Sequence, residues 1–441
     1  MDSARILASM TRGNRMKLGI RLWTALGAAA AMVAGAVQAE TVAIRAGAVL
    51  MDAAGELSGP ATILVSDGRI VSVTPGHAPI EATRVIDLSA KTVLPGLIDL
   101  HTHLSGDPSG DFWRAAVDPI EWSTLVAAKN ARITALGGFT TVRDLGSRSD
   151  QVTQSLRRAT EQGLVPGPRI VTSGRTIAIV GGHGDTNGFI EPVNDALASG
   201  YTCTGPVQCA EMVRKASKYG VDLIKITATG GVLSQQGRGL EAHFTDAEMK
   251  AIVDTANSLG LKVAAHAHGA RGIEAAARAG VHTIEHGTYL DEQAAKVMRA
   301  QGTTLVPTLM ALKGVSEGVG RRIYTPVVEA KIRAVEPYMT TLVSRARQYG
   351  VKIAFGTDAG VYPHARNAEE FALMVAQGMS NREALASATT VAAQILGLED
   401  EIGRLAPGYS ADVIAVDGNP LDDVRVLEKI SFVMVRGRVI E

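Results

Sequence analysis

The chain has 441 residues, enough for a large core, and its 44 basic residues balance 44 acidic ones. Apolar residues make up 46%, aromatic residues 4%, and there are 47 glycines, which suits an α/β enzyme and excludes a disordered or fibrous protein. With no net charge and no long basic run after residue 40, nothing points to nucleic acid as a partner.

The N-terminus reads as an export signal over residues 1–39. Arg12, Arg15, Lys17 and Arg21 form a positive region, Leu22 to Val37 is mostly apolar, and Val37-Gln38-Ala39 offers small residues for cleavage before Glu40. The apolar stretch is shorter than the roughly 18 residues of a membrane span. The mature chain is therefore expected in the periplasm or outside the cell, with no stable membrane insertion after cleavage; translation could start at Met1 or Met16.

Residues 40–92 read as short strands and turns. Thr41–Arg45, Ala61–Val65 and Arg69–Val73 are β-rich, and Asp67-Gly68 is a hairpin signal. The end of the chain, 401–441, looks alike, with Asp412–Val416, Phe432–Val435 and the turn signals Asp417-Gly418 and Arg436-Gly437. Together the two ends predict one small β-sandwich.

Between them, 93–400 alternates strand and helix. Strands are predicted at Val93–Leu100, Thr140–Asp144, Arg169–Ser173, Leu223–Thr227, Val263–His266, Thr283–His286, Thr304–Thr308 and Ile353–Thr357. Helices include Asp246–Leu259, with Thr245 as its cap, and Ile273–Ala279. Eight such units predict a (β/α)₈ TIM barrel, whose chemistry sits at the strand C-termini. Cys203 and Cys209 flank a turn-rich loop, and in an oxidising compartment they are expected to form a disulfide.

Metal-competent side chains stand at these strand ends. Val93-Leu-Pro-Gly-Leu-Ile-Asp-Leu-His-Thr-His103 ends the first strand with two histidines spaced so that both share a face. Lys225 lies in the fourth strand, between Ile224 and Ile226. His266 ends the fifth, His286 the sixth and Asp358 the eighth. Singly, each has a structural explanation: a core histidine, a snorkelling lysine, a helix-capping aspartate.

As a set they resemble the amidohydrolase superfamily, from about residue 41 to 441. The Lys225 segment, Ala228-Thr-Gly-Gly231, Gly181-Gly-His-Gly184, Thr141-Val-Arg-Asp-Leu-Gly146 and Pro363-His364 are similar to its binuclear branch, which holds Xaa-Pro and Xaa-Arg/Lys dipeptidases and ochratoxin-hydrolysing amidases. The resemblance implies one metal on His101, His103 and Asp358, a second on His266 and His286, and Lys225 bridging both as a CO₂-derived carbamate (N6-carboxylysine). Two Zn²⁺, or other divalent ions, would lower the pKa of a bridging water to hydroxide. It further implies attack on an amide or dipeptide, His183 as a second electrophile and Asp358 as proton carrier. Arg238, His268, Tyr289 and His364 are the candidate substrate contacts. Phe244 stands where the prolidase-like pattern has tyrosine, which weighs against strict proline specificity. The expected activity is thus a dipeptidase or carboxypeptidase-like amidase on dipeptides or N-acyl amino acids, including ochratoxin-type aromatic amides. A mononuclear cyclic amidohydrolase of the imidazolonepropionase kind is the alternative, and a homo-oligomer is left open.

Overall fold

Four strands open the described chain: β1 (Thr41–Val49), β2 (Ala61–Ser66), β3 (Arg69–Pro75) and β4 (Arg84–Pro95). The computed structural model describes residues 41–441 except 78, 80, 109–113, 115 and 236–238. Residues 1–39, expected from sequence to be an export signal, and Arg238 therefore lie outside the described residues. Asp67 and Gly68 both have positive φ, 49° and 74°, the backbone that a two-residue hairpin requires between β2 and β3.

The apolar run Val93–Leu100 is not one strand but parts of two. β4 ends at Pro95 and β5 (Leu97–Thr102) begins after Gly96. Proline has no N–H to continue a ladder. At Gly96 a Cβ would lie 2.1 Å from Thr140 Oγ1, so only glycine fits. The chain changes sheets at this residue.

β5, β6 (Phe139–Asp144) and β7 (Arg169–Thr172) form a parallel sheet, and β8 (Ala178–Ile179) pairs with β9 (Thr202–Cys203). A second parallel sheet contains β10 (Leu223–Thr227), β11 (Lys262–Ala267), β12 (Thr283–His286) and β13 (Thr304–Val306). β10 and β12 have the bounds read from sequence. Backbone bonds link the two sheets: Asp222 N donates to Thr172 O, and Ile177 exchanges bonds with Lys225 and Thr227. On the other side, the segment predicted as strand Ile353–Thr357 is not a regular strand. It is still tied to both neighbours, because Ala354 N donates to Leu305 O while Leu100 N donates to Phe355 O. Gly356 is wedged there; a Cβ would lie 2.3 Å from Val306 and 3.1 Å from His101.

Helices follow the strands, including Ile120–Leu136, Asp150–Gln162, Gly205–Lys218, Asp246–Ser258, Ala270–Ala279 and Glu292–Gln301. Thr245 caps its helix as predicted, accepting from Glu248 N while Glu248 reaches back to Thr245 N. The result is an α/β fold of the TIM-barrel type. β5, β6 and β10 are buried along their whole length, as expected of parallel strands covered on both faces. Two helices after β13, Leu309–Ser316 and Pro326–Met339, were not foreseen from sequence.

The chain closes with β14 (Val413–Val416), β15 (Ile430–Val435) and β16 (Arg438–Val439). These strands do join those of the N-terminal end. The order is β16-β15-β14-β4-β1-β2-β3, so all seven lie in one hydrogen-bonded sheet where two facing layers were expected. The reason is β4, which pairs with β1 along Arg84–Leu88 and again at Thr92 and Val93, and on its other edge with β14 through Thr92–Pro95. Ile44, Ile63, Val93, Val413 and Met434 are fully or almost fully buried in its apolar cluster. Arg436-Gly437 makes a hairpin with positive φ at both residues, whereas Asp417-Gly418 leads into a 3₁₀ helix.

Cys203 and Cys209 are joined in a disulfide. The intervening residues are not an open loop but the first turn of the helix Gly205–Lys218. Denatured, unreduced protein should titrate with no free thiols, and the Cys203→Ser/Cys209→Ser variant should lose about 2 kcal/mol in chemical denaturation. Two thiols per native chain would contradict this.

Candidate metal centre and substrate cavity

Strand ends bring the chemically competent side chains to one place, and each histidine there spends one ring nitrogen on the scaffold. His101 Nδ1 bonds Glu285 Oε2 at 2.9 Å, leaving Nε2 3.3 Å from both Lys225 Nζ and Asp358 Oδ1. His103 Nδ1 bonds Gly146 O at 3.0 Å, leaving Nε2 3.1 Å from Asp358 Oδ1. His286 Nδ1 bonds Thr308 Oγ1 at 2.7 Å. His266 is turned the other way: its Nε2 meets Gly230 O at 3.1 Å, so Nδ1 is the nitrogen left over. The rings form a chain, with centroids 5.3 Å apart for His101 and His103, 5.1 Å for His101 and His286, and 4.7 Å for His286 and His266. Fixing one nitrogen sets the tautomer and aims the other.

Three non-glycine residues here have left-handed backbones: His286 (φ 70°), Thr308 (φ 49°) and Asp358 (φ 62°). Each costs on the order of 1–3 kcal/mol and persists only where its surroundings hold it. Asp358 N donates to His101 O at 2.7 Å. Thr308 is followed by Leu309 and Met310, whose N–H groups both donate to the buried Glu370 carboxylate. The turn at His286 breaks strand alternation, so Glu285 and His286, adjacent in sequence, both approach His101.

Glu285 and Arg143 were not singled out from sequence. Both are buried, at 0% and 2% exposure, and Arg143 Nη2 donates to Glu285 Oε1 at 2.9 Å. Burial opposes charge on Glu285, but Arg143 and His101 outweigh it and pull its pKa down to about 2. Asp99, also passed over, accepts from His101 N, Thr357 N, Thr357 Oγ1 and Asn367 Nδ2. It fixes the backbone on both sides of the His101–Asp358 contact. Residue type alone gave no signal for these groups. Their roles come from long-range contacts, 184 positions apart for His101 and Glu285.

The charges at the centre are strongly perturbed. Burial lowers Lys225 to about 8, against the pull of Glu285 and Asp358. Burial and Lys225 lower His101 to about 4. Burial likewise opposes ionisation of Asp358, yet His101 and His103 hold it far below the usual carboxylate range.

The other sequence candidates divide. His183 lies at the site, its Nδ1 2.6 Å from Ser234 Oγ and its ring 4.4 Å from that of His266. A Cβ on Gly231 would fall 2.2 Å from that ring, so glycine is what lets it in. His268 lines the same cavity, its Nδ1 bonded to Thr288 Oγ1. Tyr289 instead packs edge-on against Tyr338 and is not among the lining residues. His364 is buried, held by Thr134 Oγ1 at 2.8 Å and by His103 O at 3.4 Å, and acts as a prop behind His103.

A divalent metal suits this donor set. One ligand atom from each of His101, His103 and Asp358 lies within 4.8 Å of the others. Asp358 Oδ1 is buried without a directed hydrogen bond among the described residues, which is costly for a carboxylate oxygen unless a cation occupies the space it faces. Neutral imidazole and carboxylate are the ligands zinc prefers.

The amidohydrolase family matches residues 92–440. The chain belongs to that family. It is 31% identical over 429 residues to the ochratoxinase of Aspergillus niger, covering 90% of this chain and 85% of that one. A Xaa-Pro dipeptidase crystallised with methionine in its active site is 37% identical, with a TM-score of 0.84 over 91% of this chain and all of that one. An imidazolonepropionase of Rhizorhabdus wittichii is 28% identical over 401 residues, 80% of this chain and 87% of that one. This amidohydrolase is accordingly a hydrolase of amide or peptide bonds, and its histidines stand at the floor of a cavity of about 900 Å³.

Removing the charge at Glu285 should leave Arg143 buried without a counter-ion. Glu285→Gln is expected to cost roughly 3–5 kcal/mol in denaturant unfolding, and Arg143→Met/Glu285→Leu to recover much of that loss. Because the folded pKa of Glu285 is depressed, its contribution is complete above the ordinary 4.5 and is lost as pH falls toward 2. A single variant as stable as the parent would disprove the assignment.

Proposed function

We propose that this protein is a binuclear, zinc-dependent amide hydrolase, a dipeptidase or carboxypeptidase-like amidase that cleaves dipeptides or N-acyl amino acids. The observation that carries the reading is Lys225. Its Nζ is buried among the histidines, 3.3 Å from His101 Nε2, where an ammonium would repel a cation. Burial that lowers its pKa to about 8 leaves more of the amine neutral and able to take up CO₂. As a carbamate it would offer oxygen ligands alongside the residues that would hold the ions, His101, His103 and Asp358 for one and His266 and His286 for the other.

When bound, the two ions supply Lewis-acid polarisation of the amide carbonyl and a water of lowered pKa. The chain's residues do the rest. Asp358 takes a proton from the attacking water and returns it to the leaving amine. His183 is kept neutral, because burial, His268 and Lys225 hold its pKa to about 3. Its Nδ1 is engaged by Ser234 Oγ, and in the tautomer where Nδ1 accepts, Nε2 carries the hydrogen for the substrate carbonyl.

The linked parallel strands are read as an eight-unit barrel over 93–400 carrying an end domain from 40–92 and 401–441. The disulfide and the N-terminal 39 residues support a periplasmic or secreted protein. The imidazolonepropionase relative favours the second reading, a cyclic amidohydrolase with one metal. Lys225 separates the two, since a mononuclear site has no use for it.

Zinc-loaded protein should contain about two metals per chain and Lys225→Ala fewer, by elemental analysis; one metal in both would establish the mononuclear reading. Asp358→Asn should lose hydrolysis by several orders of magnitude, measured on substrates from a dipeptide and N-acyl amino acid library. Retained turnover in that variant would remove Asp358 as the proton carrier.

A further inference from the structure

We propose that Lys331 and Ser234 are positioning residues for His183, holding its ring so that Nε2 meets the substrate carbonyl. This rests on the reading of His183 as the electrophile of an amide hydrolase. His183 needs such support. The metal-competent histidines stand on strands or at their ends, whereas His183 lies on a turn, Gly181-Gly-His-Gly184, that follows β8. Its ring is met by a different segment, the loop after β10. A Cβ at Gly231 would fall 2.2 Å from the ring, so the ring rests on that glycine, and Ser234 Oγ lies 2.6 Å from Nδ1. Engaging Nδ1 leaves Nε2 as the ring nitrogen for the cavity that His183 lines.

The two residues that touch His183 are the two that Lys331 holds. Its Nζ donates to Gly231 O at 2.8 Å and to Ser234 O at 2.5 Å. Gly231 O also accepts from Ser234 N at 3.3 Å, so the ammonium pins both ends of one turn. Lys331 belongs to the helix Pro326–Met339, about 100 residues further along the chain. Just before that helix, Thr325 Oγ1 donates to Gln235 Oε1 at 2.7 Å, which ties the next residue of the loop as well. Taking an ammonium partly out of water is costly, and burial lowers Lys331 to about 8; charge-assisted bonds to two carbonyls offset that cost. A lysine that served only to anchor the helix would have no reason to converge on both contacts of one imidazole. The same helix lines the cavity through Val328, Val335 and Met339. The element that faces the substrate therefore also sets the group that polarises it. A misplacement of about 1 Å at such a group can cost on the order of 100-fold in rate.

The test uses the full-length, zinc-loaded enzyme and the dipeptide or N-acyl amino acid it cleaves fastest. Lys331→Met and Ser234→Ala should each lower kcat at least tenfold, with KM within about threefold and zinc content at the parent's level. Added to His183→Ala, either change should cost less than about twofold more, because the ring they hold is gone. Losses that persist in that background, or that follow loss of zinc, overturn the proposal, since the clamp would then act on the fold, the metal or the substrate directly. A second readout needs no turnover. Long-range ¹H–¹⁵N spectra of histidine-labelled protein, with His183→Ala to assign the signal, should show one fixed tautomer for His183 in the parent. Both variants should show averaged ring nitrogens there while the ligand histidines keep theirs; Ser234→Ala alone suffices if Lys331→Met does not fold. His183 nitrogens already averaged in the parent, or unchanged in the variants, overturn the positioning whatever the activity. Full activity of His183→Ala overturns the electrophile reading instead, and the spectra then decide the clamp by themselves.

Discussion

The arrangement depends on a buried cation and anion held at the centre of the parallel strands. Arg143 donates from Nε to Leu100 O, from Nη1 to Thr283 Oγ1 and from Nη2 to Glu285 Oε1, so one side chain from β6 binds β5 and β12 together. Glu285 passes the constraint to His101 through its other oxygen. Two charges so far from water are expensive, and only a complete set of partners makes them tolerable. The completeness gives the position of His101 its rigidity. Asp358, His103, Lys225 and His286 are all arranged around that ring.

Much of this was legible in the chain itself, for reasons that can be stated residue by residue. β10 and β12 were found with their bounds because a strand buried on both faces is a short, unbroken apolar run with little choice of conformation. Lys225 stood out because a lysine between Ile224 and Ile226 contradicts that pattern. What escaped notice was set by contacts distant in sequence. Pro95-Gly96 could not be seen as a division, since the side chain that demands glycine is Thr140. Glu285 could not be ranked above any other glutamate until Arg143 lay beside it. His364 carried the residue type of a ligand or substrate contact, yet Thr134 and the backbone of His103 claim both of its nitrogens.

The site also divides its labour between rigid and adaptable parts. Metal-competent groups stand on strands and on strained turns that are over-determined by hydrogen bonds, as at Asp358 and Thr308. Other walls of the cavity come from the helices after β13 and the loops after β5 and β6. A scaffold of this kind can keep its hydrolytic chemistry while the walls change, and the relatives are consistent with that: ochratoxinase and Xaa-Pro dipeptidase are named for very different amides.

The change of sheet at Gly96 has a consequence for how the protein is made. β4 ends one residue before the strand that carries His101, and its last four residues, Thr92–Pro95, pair with β14, which begins at Val413. During synthesis β4 must wait, with one edge unpaired, for more than 300 further residues to leave the ribosome. The strand holding the first histidines is thus preceded by one whose second neighbour comes from nearly the final stretch of polypeptide. A nascent or C-terminally shortened chain, even with every metal-competent residue already present, would lack the brace that sets the entry of β5.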